Sequence, residues 1–208
     1  MSIETQLAVM AELQDSHNQA VHPDWRTQGY EYYRAVWVEC AELLDHYGWK
    51  WWKHQQPDLD QVKLEIVDIW HFGLSELMRG GELDPAGMAA EYTAVIEQHL
   101  TGTPVDFRDA VERLAEQTLC TQGFPLGEFI DLLTSLPMSF DELFEMYVGK
   151  NVLNNFRQAH GYKSGQYVKV WDGREDNEHL IDLVRELNPA SDRFAADLYA
   201  ALEARYPD

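Results

Sequence analysis

The segment DLDQVKLEIVDIWHFGLSELM, residues 58–78, decides the fold. Its apolar residues recur every three or four positions, as on one face of a single long helix; they are Leu59, Val62, Ile66, Ile69, Trp70, Leu74 and Leu77. The run Arg79-Gly80-Gly81 that follows is a helix stop signal. Glu65 and Asp68 lie three positions apart within this helix, so their carboxylates project from the same side as neighbours one turn apart.

The segment 30–47 has the same helical rhythm and carries a second acidic pair, Glu39 and Glu42, before a stop at Gly48. If the two helices pack as an antiparallel pair, the four carboxylates converge. Such an acidic cluster is costly in a partly buried space unless protons or cations neutralise it. Carboxylate oxygens suit Mg²⁺ or Mn²⁺. The sequence therefore predicts a divalent metal site, and the apolar residues that flank both pairs favour it over the alternative of a solvated acidic face.

Helices are predicted along the rest of the chain as well, and strands are not. Pro, Gly and capping residues set the breaks, and these helices span 3–19, about 84–100, 106–121, 125–135, 139–159, 175–187 and 191–205. Ser139 and Glu142 form a capping box at the start of one of them, and 161–177 is predicted to be an ordered loop. The sequence therefore predicts an all-α helical bundle in one domain over 1–208, with 80–138 as an accessory helical region.

Composition limits the classes of function. The formal net charge of −20 argues against a nonspecific binder of nucleic acid or of anionic membranes, because both need a basic surface. No apolar run reaches the about 18 residues of a membrane span, and the chain begins without a basic, apolar leader. Cys40 and Cys120 lack the spacing of a disulfide framework or a zinc site. We expect a soluble protein of the reducing cytoplasm.

The spacing of Asp68 and His71 also permits a di-iron site, which places carboxylate and histidine three residues apart on a helix. That site would need a second such pair on another helix. Glu42 has Asp45 and not histidine at the third position, which weakens the di-iron interpretation. We expect His71, followed by Phe72, to line a pocket or to pack in the core, and the residues alone leave both roles open.

Two groups of basic residues could bind an anionic ligand. The aromatic and basic run 49–53, WKWWK, is typical of a membrane anchor, a protein interface or a platform for a nucleobase, and three tryptophans beside two lysines favour a flat heterocycle that carries phosphate. Lys150, Asn154 and Arg157 share one helical face, where they could bind phosphate or form a solvated stripe. The glycines of the neighbouring segment 161–167 would let backbone amides approach a ligand.

Three blocks of the sequence carry a resemblance to a known family: ECAELLDHYGWKWWK (39–53), EIVDIWHFGLS (65–75) and YVGKNVLNNFRQAHGYKSGQYVKVWDGREDN (147–177), preceded by Leu13, Gln14 and Asn18. The chain resembles the dimeric all-α dUTPases, a branch of the all-α nucleoside triphosphate pyrophosphohydrolases. The two acidic blocks alone would indicate only the wider superfamily, whereas the third block is similar to the dUTPase branch in particular. No block matches over 80–138.

The resemblance implies a fold, a reaction and a set of site residues. It implies a homodimer that hydrolyses dUTP to dUMP and pyrophosphate with two or three Mg²⁺ ions, and it implies dUDP as a further substrate. The implied metal ligands and catalytic residues are Glu39, Glu42, Glu65 and Asp68, with Glu42 as the candidate general base. The implied base and sugar pocket consists of Gln14, Asn18, Trp51, His71, Phe72 and Asn154. The implied phosphate ligands are Lys53, Lys150, Arg157, Lys163 and Lys169, and Tyr162 and Asn177 would complete the site.

Two alternatives stay open at this point. One is a pyrophosphohydrolase that acts on dCTP or on a modified nucleoside triphosphate, because base selectivity depends on a few contacts that a sequence does not reveal. The other is a helical assembly protein that binds divalent ions and has no catalytic activity. Lys150, Arg157 and Lys163 argue against the second alternative, because ion storage needs no cationic side chains.

Overall fold

The computed structural model describes residues 1–81, 84–188, 191 and 193–207. Within them the chain is almost entirely helical, and the prediction of an all-α fold is confirmed. The helices are α1 Ile3–Val21, α2 Tyr32–Tyr47, α3 Leu59–Gly81, α4 Pro85–Leu100, α5 Phe107–Thr121, α6 Leu126–Thr134, α7 Phe140–Ala159, α8 Asp176–Glu186 and α9 Phe194–Arg205. Each predicted helix is present, with ends within three residues of the prediction. No helix of the described residues has the length and hydropathy to cross a membrane.

The chain divides into two compact units, 1–144 and 145–208, with the boundary inside α7. The first unit contains α1 to α6 and the first residues of α7, and it includes both acidic pairs. The second unit contains the rest of α7, a small hairpin, α8 and α9. The single domain over 1–208 stays a prediction.

Helices α2 and α3 run antiparallel, as predicted. Tyr32 at the start of α2 lies beside Arg79 near the end of α3, whereas Glu39 in the middle of α2 lies beside Glu65 in the first half of α3. Helix α2 ends at Gly48, whose φ of +90° is a backbone conformation that favours glycine. The antiparallel arrangement brings the two acidic pairs to the same level of the helix pair.

Residues of the described range 84–138 contribute to the core of the first unit. The Trp70 ring of α3 stacks on Phe129 of α6 with centroids 4.9 Å apart, and its indole N–H donates to the Met10 sulfur of α1 at 3.2 Å. A Cβ atom at Gly73 would lie 2.4 Å from the Phe124 ring, so only glycine permits this close approach. The region that matches no block of the family resemblance therefore packs directly behind the acidic helix α3.

The second unit contains a feature that the sequence analysis did not predict. Strands β1, Val170–Trp171, and β2, Arg174–Glu175, form an antiparallel hairpin inside the segment predicted to be a loop. The turn residues Asp172 and Gly173 have φ of 48° and 80°, as in the tight turns that Asp-Gly favours. The prediction of a loop over the whole of 161–177 was wrong at these residues, because two-residue strands are too short to show an alternating pattern. The Asp-Gly pair was the available signal.

Candidate functional site

Three of the four predicted metal ligands come together on α2 and α3. One carboxylate oxygen from each of Glu39, Glu42 and Glu65 lies within 4.8 Å of the other two. Glu65 is buried, Glu39 is half-buried and Glu42 is exposed, so the cluster opens towards solvent on the α2 side. Oxygen ligands with access to water are what Mg²⁺ prefers, because this ion keeps several of its own waters. The donor set therefore fits the predicted metal.

The fourth predicted ligand, Asp68, lies close enough to affect the charge state of Glu39. The pKa of Glu39 is raised from 4.5 to about 8, first by burial, then by the charge of Asp68, and then by a hydrogen bond and the charge of Glu65. At neutral pH the cluster thus retains a proton in the absence of a cation. A divalent cation would reverse this preference, because it stabilises the ionised carboxylates.

His46 also belongs to this cluster, and the sequence analysis missed it. Its Nε2 lies 3.5 Å from Glu65 Oε1. The signal was available, because Glu39, Glu42 and His46 follow one another at three and four residues along α2 and therefore share a face. The role of Glu39, Glu42, Glu65 and Asp68 as metal ligands stays a prediction.

Three residues predicted for the base and sugar pocket form a buried hydrogen-bond cluster between α1 and α3. His71 Nδ1 lies 2.8 Å from Gln14 Oε1, and Gln14 Nε2 donates to Asn18 Oδ1 at 3.0 Å. The sequence analysis missed the residue that connects them, Ser75, whose Oγ accepts from both amide groups at 3.1 and 2.9 Å. Ser75 follows Asp68 by seven residues and therefore lies on the same face of α3.

The same cluster reaches α2 through Tyr32. This side chain forms a hydrogen bond with Ser75, and burial, followed by the charges of Tyr30 and Glu76, raises its pKa to about 12. Tyr32 is therefore a neutral phenol at physiological pH. The hydroxyl of Ser75 connects α1, α2 and α3 at one point.

The other residues of the first unit that were predicted for the base and sugar pocket, Phe72 and Trp51, do not belong to the buried hydrogen-bond cluster. Phe72 is half-buried on α3. Trp51 is 90% exposed and contacts Trp52 edge to face with centroids 5.4 Å apart, and Lys53 is exposed on the same turn. The Trp51 ring therefore lies in solvent and not in the buried amide cluster.

In the second unit, Arg157 is held by a residue that the sequence analysis did not single out. Its Nε and Nη2 donate to the two carboxylate oxygens of Asp176, each at 2.8 Å, and Tyr167 donates to the same carboxylate at 2.8 Å. Burial raises the pKa of Asp176, but the hydrogen bonds and charge of Arg157 outweigh burial and hold this pKa below its ordinary value. In the sequence, Asp176 could have been recognised as a partner for Arg157, because it is an acidic residue directly before Asn177 in the third block of the family resemblance.

The amide of Asn177 joins two of the predicted phosphate ligands. Its Oδ1 accepts from Lys150 Nζ at 3.1 Å and from Arg157 Nη2 at 3.2 Å, and Asn154 Oδ1 accepts from Arg157 Nη1 at 3.2 Å. Lys150 is only 2% exposed. Four predicted residues thus form one polar network, and their contact with a nucleotide stays a prediction.

The other predicted ligands of this unit lie on its surface. Tyr162 and Lys163 belong to a short 3₁₀ turn, Tyr162–Ser164, and both are exposed. Lys169 forms an ion pair with Glu175 at 2.9 Å. Among the described residues, no hydrogen bond connects Lys163 or Lys169 with the network around Arg157.

A comparison with known protein families identifies the relationship. The family model described as dUTPase matches residues 6–162, about three quarters of the chain. No curated protein matches the chain significantly. The matched region contains both acidic pairs, the buried amide cluster and all of α7, and it ends before the hairpin. The chain belongs to the all-α dUTPase family, and it is an enzyme of the dUTP diphosphatase type.

Proposed function

We propose that this enzyme hydrolyses dUTP to dUMP and pyrophosphate and that the reaction requires Mg²⁺. The observation that carries the proposal is the convergence of Glu39, Glu42 and Glu65 within 4.8 Å in a member of the dUTPase family. The raised pKa of Glu39 supports it, because burial and the charges of the neighbouring acids raise this pKa, and a divalent cation would offset both effects. In this proposal the cation binds together with the substrate.

The proposed metal ligands are Glu39, Glu42, Glu65 and Asp68, for two or three Mg²⁺ ions, with Mn²⁺ as a possible substitute. Bound ions of this type neutralise a triphosphate and lower the pKa of a coordinated water. Glu42 is the exposed member of the carboxylate cluster and is therefore accessible to an incoming water. We propose Glu42 as the residue that orients this water or accepts its proton.

The proposed base and sugar pocket contains Gln14, Asn18, His71 and Phe72. The buried amide and imidazole groups supply the fixed hydrogen-bond donors and acceptors that a nucleoside site needs. For Trp51 and Asn154 a contact with the nucleoside stays a prediction from the family resemblance. The proposed phosphate ligands are Lys53, Lys150, Arg157, Lys163 and Lys169, with Tyr162 and Asn177 as further contacts.

We further propose that the enzyme acts on the cytoplasmic nucleotide pool as a homodimer. Exposed apolar side chains on α2, Trp37 at 38% and Val38 at 40%, are consistent with burial against another chain. Light scattering of the purified protein tests this point, and a monomer at micromolar concentration would contradict it.

A panel of nucleotides tests the proposed function. We expect pyrophosphate release from dUTP with Mg²⁺, weaker activity on dUDP with phosphate as the product, and no activity when EDTA replaces Mg²⁺. Preference for dCTP or for a modified nucleotide would replace the substrate and keep the reaction type. Mg²⁺ binding without cleavage of any nucleotide, and without a nucleotide-induced rise in melting temperature, would favour an ion-binding assembly protein.

A further inference from the structure

Ser75 is the centre of a hydrogen-bond cluster that has almost no contact with solvent. The residue is 1% exposed, and Gln14 and Asn18 are 3% and 6% exposed. Its hydroxyl donates to the His71 carbonyl oxygen at 3.0 Å. A buried polar network of this kind is stable only when each donor meets an acceptor. The directions of these hydrogen bonds can therefore be derived one after another.

The serine hydroxyl fixes the orientation of the two amides. Its single hydrogen is directed to the His71 carbonyl or to Tyr32, which also bonds to this hydroxyl, so in both cases the oxygen acts as an acceptor towards Gln14 and Asn18. Both amides then turn their NH₂ groups to Ser75, at 3.1 Å for Gln14 and 2.9 Å for Asn18. The second hydrogen of Gln14 Nε2 is directed to Asn18 Oδ1 at 3.0 Å. With its nitrogen held on this side, Gln14 presents Oε1 to His71.

The orientation of Gln14 in turn fixes the tautomer of His71. An amide oxygen only accepts hydrogen bonds, so His71 Nδ1 at 2.8 Å must carry the hydrogen. In the neutral imidazole the other nitrogen, Nε2, is then an acceptor. A serine one turn further along α3 thus sets which kind of hydrogen bond His71 can make.

We propose that Ser75 is a positioning residue for the substrate: through Gln14 and Asn18 it holds His71 in the Nδ1–H form, so that Nε2 accepts a hydrogen bond from a donor on the nucleoside. The inference rests on the proposed function. Two groups of deoxyuridine have this chemistry, the N3–H of uracil and the 3′-hydroxyl of the sugar. Cytosine lacks the first donor, because its N3 is an acceptor, and a 2′,3′-dideoxynucleotide lacks the second.

A purely structural role for Ser75 makes a different prediction. If the serine only satisfied buried amides, its removal would lower stability and leave the affinity of the folded protein for substrate unchanged. If it positions His71, the loss should appear in KM, in substrate discrimination and in the imidazole tautomer. These three measurements separate the two roles.

The experiment compares wild type with Ser75→Ala, with Ser75→Thr as the conservative variant and Thr118→Val as the matched control. Thr118 is fully buried on α5, outside the cluster, and its hydroxyl has no hydrogen-bond partner among the described residues, so its variant controls for the removal of a buried hydroxyl as such. We expect Ser75→Ala to raise KM for dUTP roughly tenfold with kcat within about twofold, as for the loss of one buried hydrogen bond. We expect Ser75→Thr to restore KM and Thr118→Val to leave it unchanged.

A comparison of dUTP with two other nucleotides identifies the group that donates a hydrogen bond to His71 Nε2. If the donor is N3–H, Ser75→Ala should reduce the preference for dUTP over dCTP; if it is the 3′-hydroxyl, the preference for dUTP over its 3′-deoxy analogue should fall. Unchanged discrimination in both arms, with unchanged KM, would overturn the role of Ser75.

The tautomer is measured separately from turnover. Two-bond ¹H–¹⁵N correlation spectra of wild type should show His71 with its hydrogen on Nδ1, and Ser75→Ala should show a mixture. A wild-type His71 with its hydrogen on Nε2 would overturn the proposal even if every variant folds poorly. A wild type that fails to hydrolyse dUTP would overturn the proposed function, whereas hydrolysis by wild type with an unaffected Ser75→Ala would overturn only the role of Ser75.

Discussion

Two carboxylates of this enzyme, the buried Asp176 of the second compact unit and the half-buried Glu39 of the first, have pKa values shifted in opposite directions. Asp176 has no exposed surface, yet its pKa lies below the ordinary value because Arg157 and Tyr167 bond to it. Glu39 is only half-buried, yet its pKa is raised to about 8, because burial adds to the charges of other acids. The partners of a carboxylate, more than the depth of its burial, decide its charge.

The difference separates a structural ion pair from a site that is suited to an external cation. In the second unit the chain supplies the counter-charge itself, through the two 2.8 Å hydrogen bonds of Arg157 to Asp176. In the first unit three carboxylates meet within 4.8 Å and one of them keeps a proton. We therefore expect substitutions of the acids to affect activity in the first unit and stability in the second.

The largest expected effect is on turnover. Glu65→Gln removes a proposed metal ligand and also relieves repulsion among the acids, so we expect kcat/KM for dUTP to fall by about 1,000-fold or more. The metal-free variant should unfold at the same temperature as wild type or at a higher one. Pyrophosphate release and circular dichroism melting measure the two quantities. Glu97→Gln, an exposed glutamate of α4, is the control, and near-normal turnover in Glu65→Gln would remove this residue from the site.

The second effect is on stability. Asp176→Asn leaves the guanidinium of Arg157 without its buried counter-charge, so we expect a loss of about 3 kcal/mol in the free energy of unfolding. Asp197→Asn is the matched control, because Asp197 pairs with Arg193 on the surface at 3.2 Å and such pairs contribute less than about 1 kcal/mol. Urea titrations provide both values. Equal losses in the two variants would show that the buried Arg157–Asp176 pair contributes no more to the free energy of unfolding than a surface ion pair.

The smallest expected effect is a pH dependence in the absence of metal. The folded chain keeps a proton on Glu39 between its ordinary pKa of 4.5 and about 8, whereas the unfolded chain releases it. The contribution of Glu39 to stability should therefore decrease as the pH rises through this window, by less than the about 1.4 kcal/mol per pH unit of one full proton, because the side chain is partly exposed.

Glu39→Gln should remove this pH dependence. In EDTA the stability of the variant relative to wild type should increase from pH 5 to pH 8, and Mg²⁺ at pH 8 should stabilise wild type more than the variant. Urea unfolding at four pH values measures the difference. Parallel curves for the two proteins would contradict the raised pKa.

Much of the fold could be predicted, because the apolar pattern and the end signals of a helix lie within one short segment of the sequence. The apolar rhythm of 58–78 and the stops at Gly48 and Gly80 placed α2 and α3 to within three residues. The hairpin was missed, because its two-residue strands depend on the turn at Asp172 and Gly173 and not on a repeating pattern.

The site could be predicted only in part, for a different reason. Spacing on one helix showed that Glu39 pairs with Glu42 and that Glu65 pairs with Asp68. Contacts between distant segments leave no spacing pattern in the sequence. The hydrogen bond from Asn18 to Ser75 is an example, because it joins residues 57 positions apart. The sequence also did not show that the Trp51 side chain is exposed, because the aromatic and basic run 49–53 is compatible with a surface as well as with a binding pocket.

The sequence by itself determined the all-α fold, the position of each acid on its helix and the family, because these follow from local periodicity and from motifs within short segments. Only the tertiary structure decided which acids meet, which carboxylate keeps a proton and which carboxylate is neutralised by Arg157. The physical reason is that electrostatic and hydrogen-bond energies depend on distance in space, and the packing of helices sets that distance.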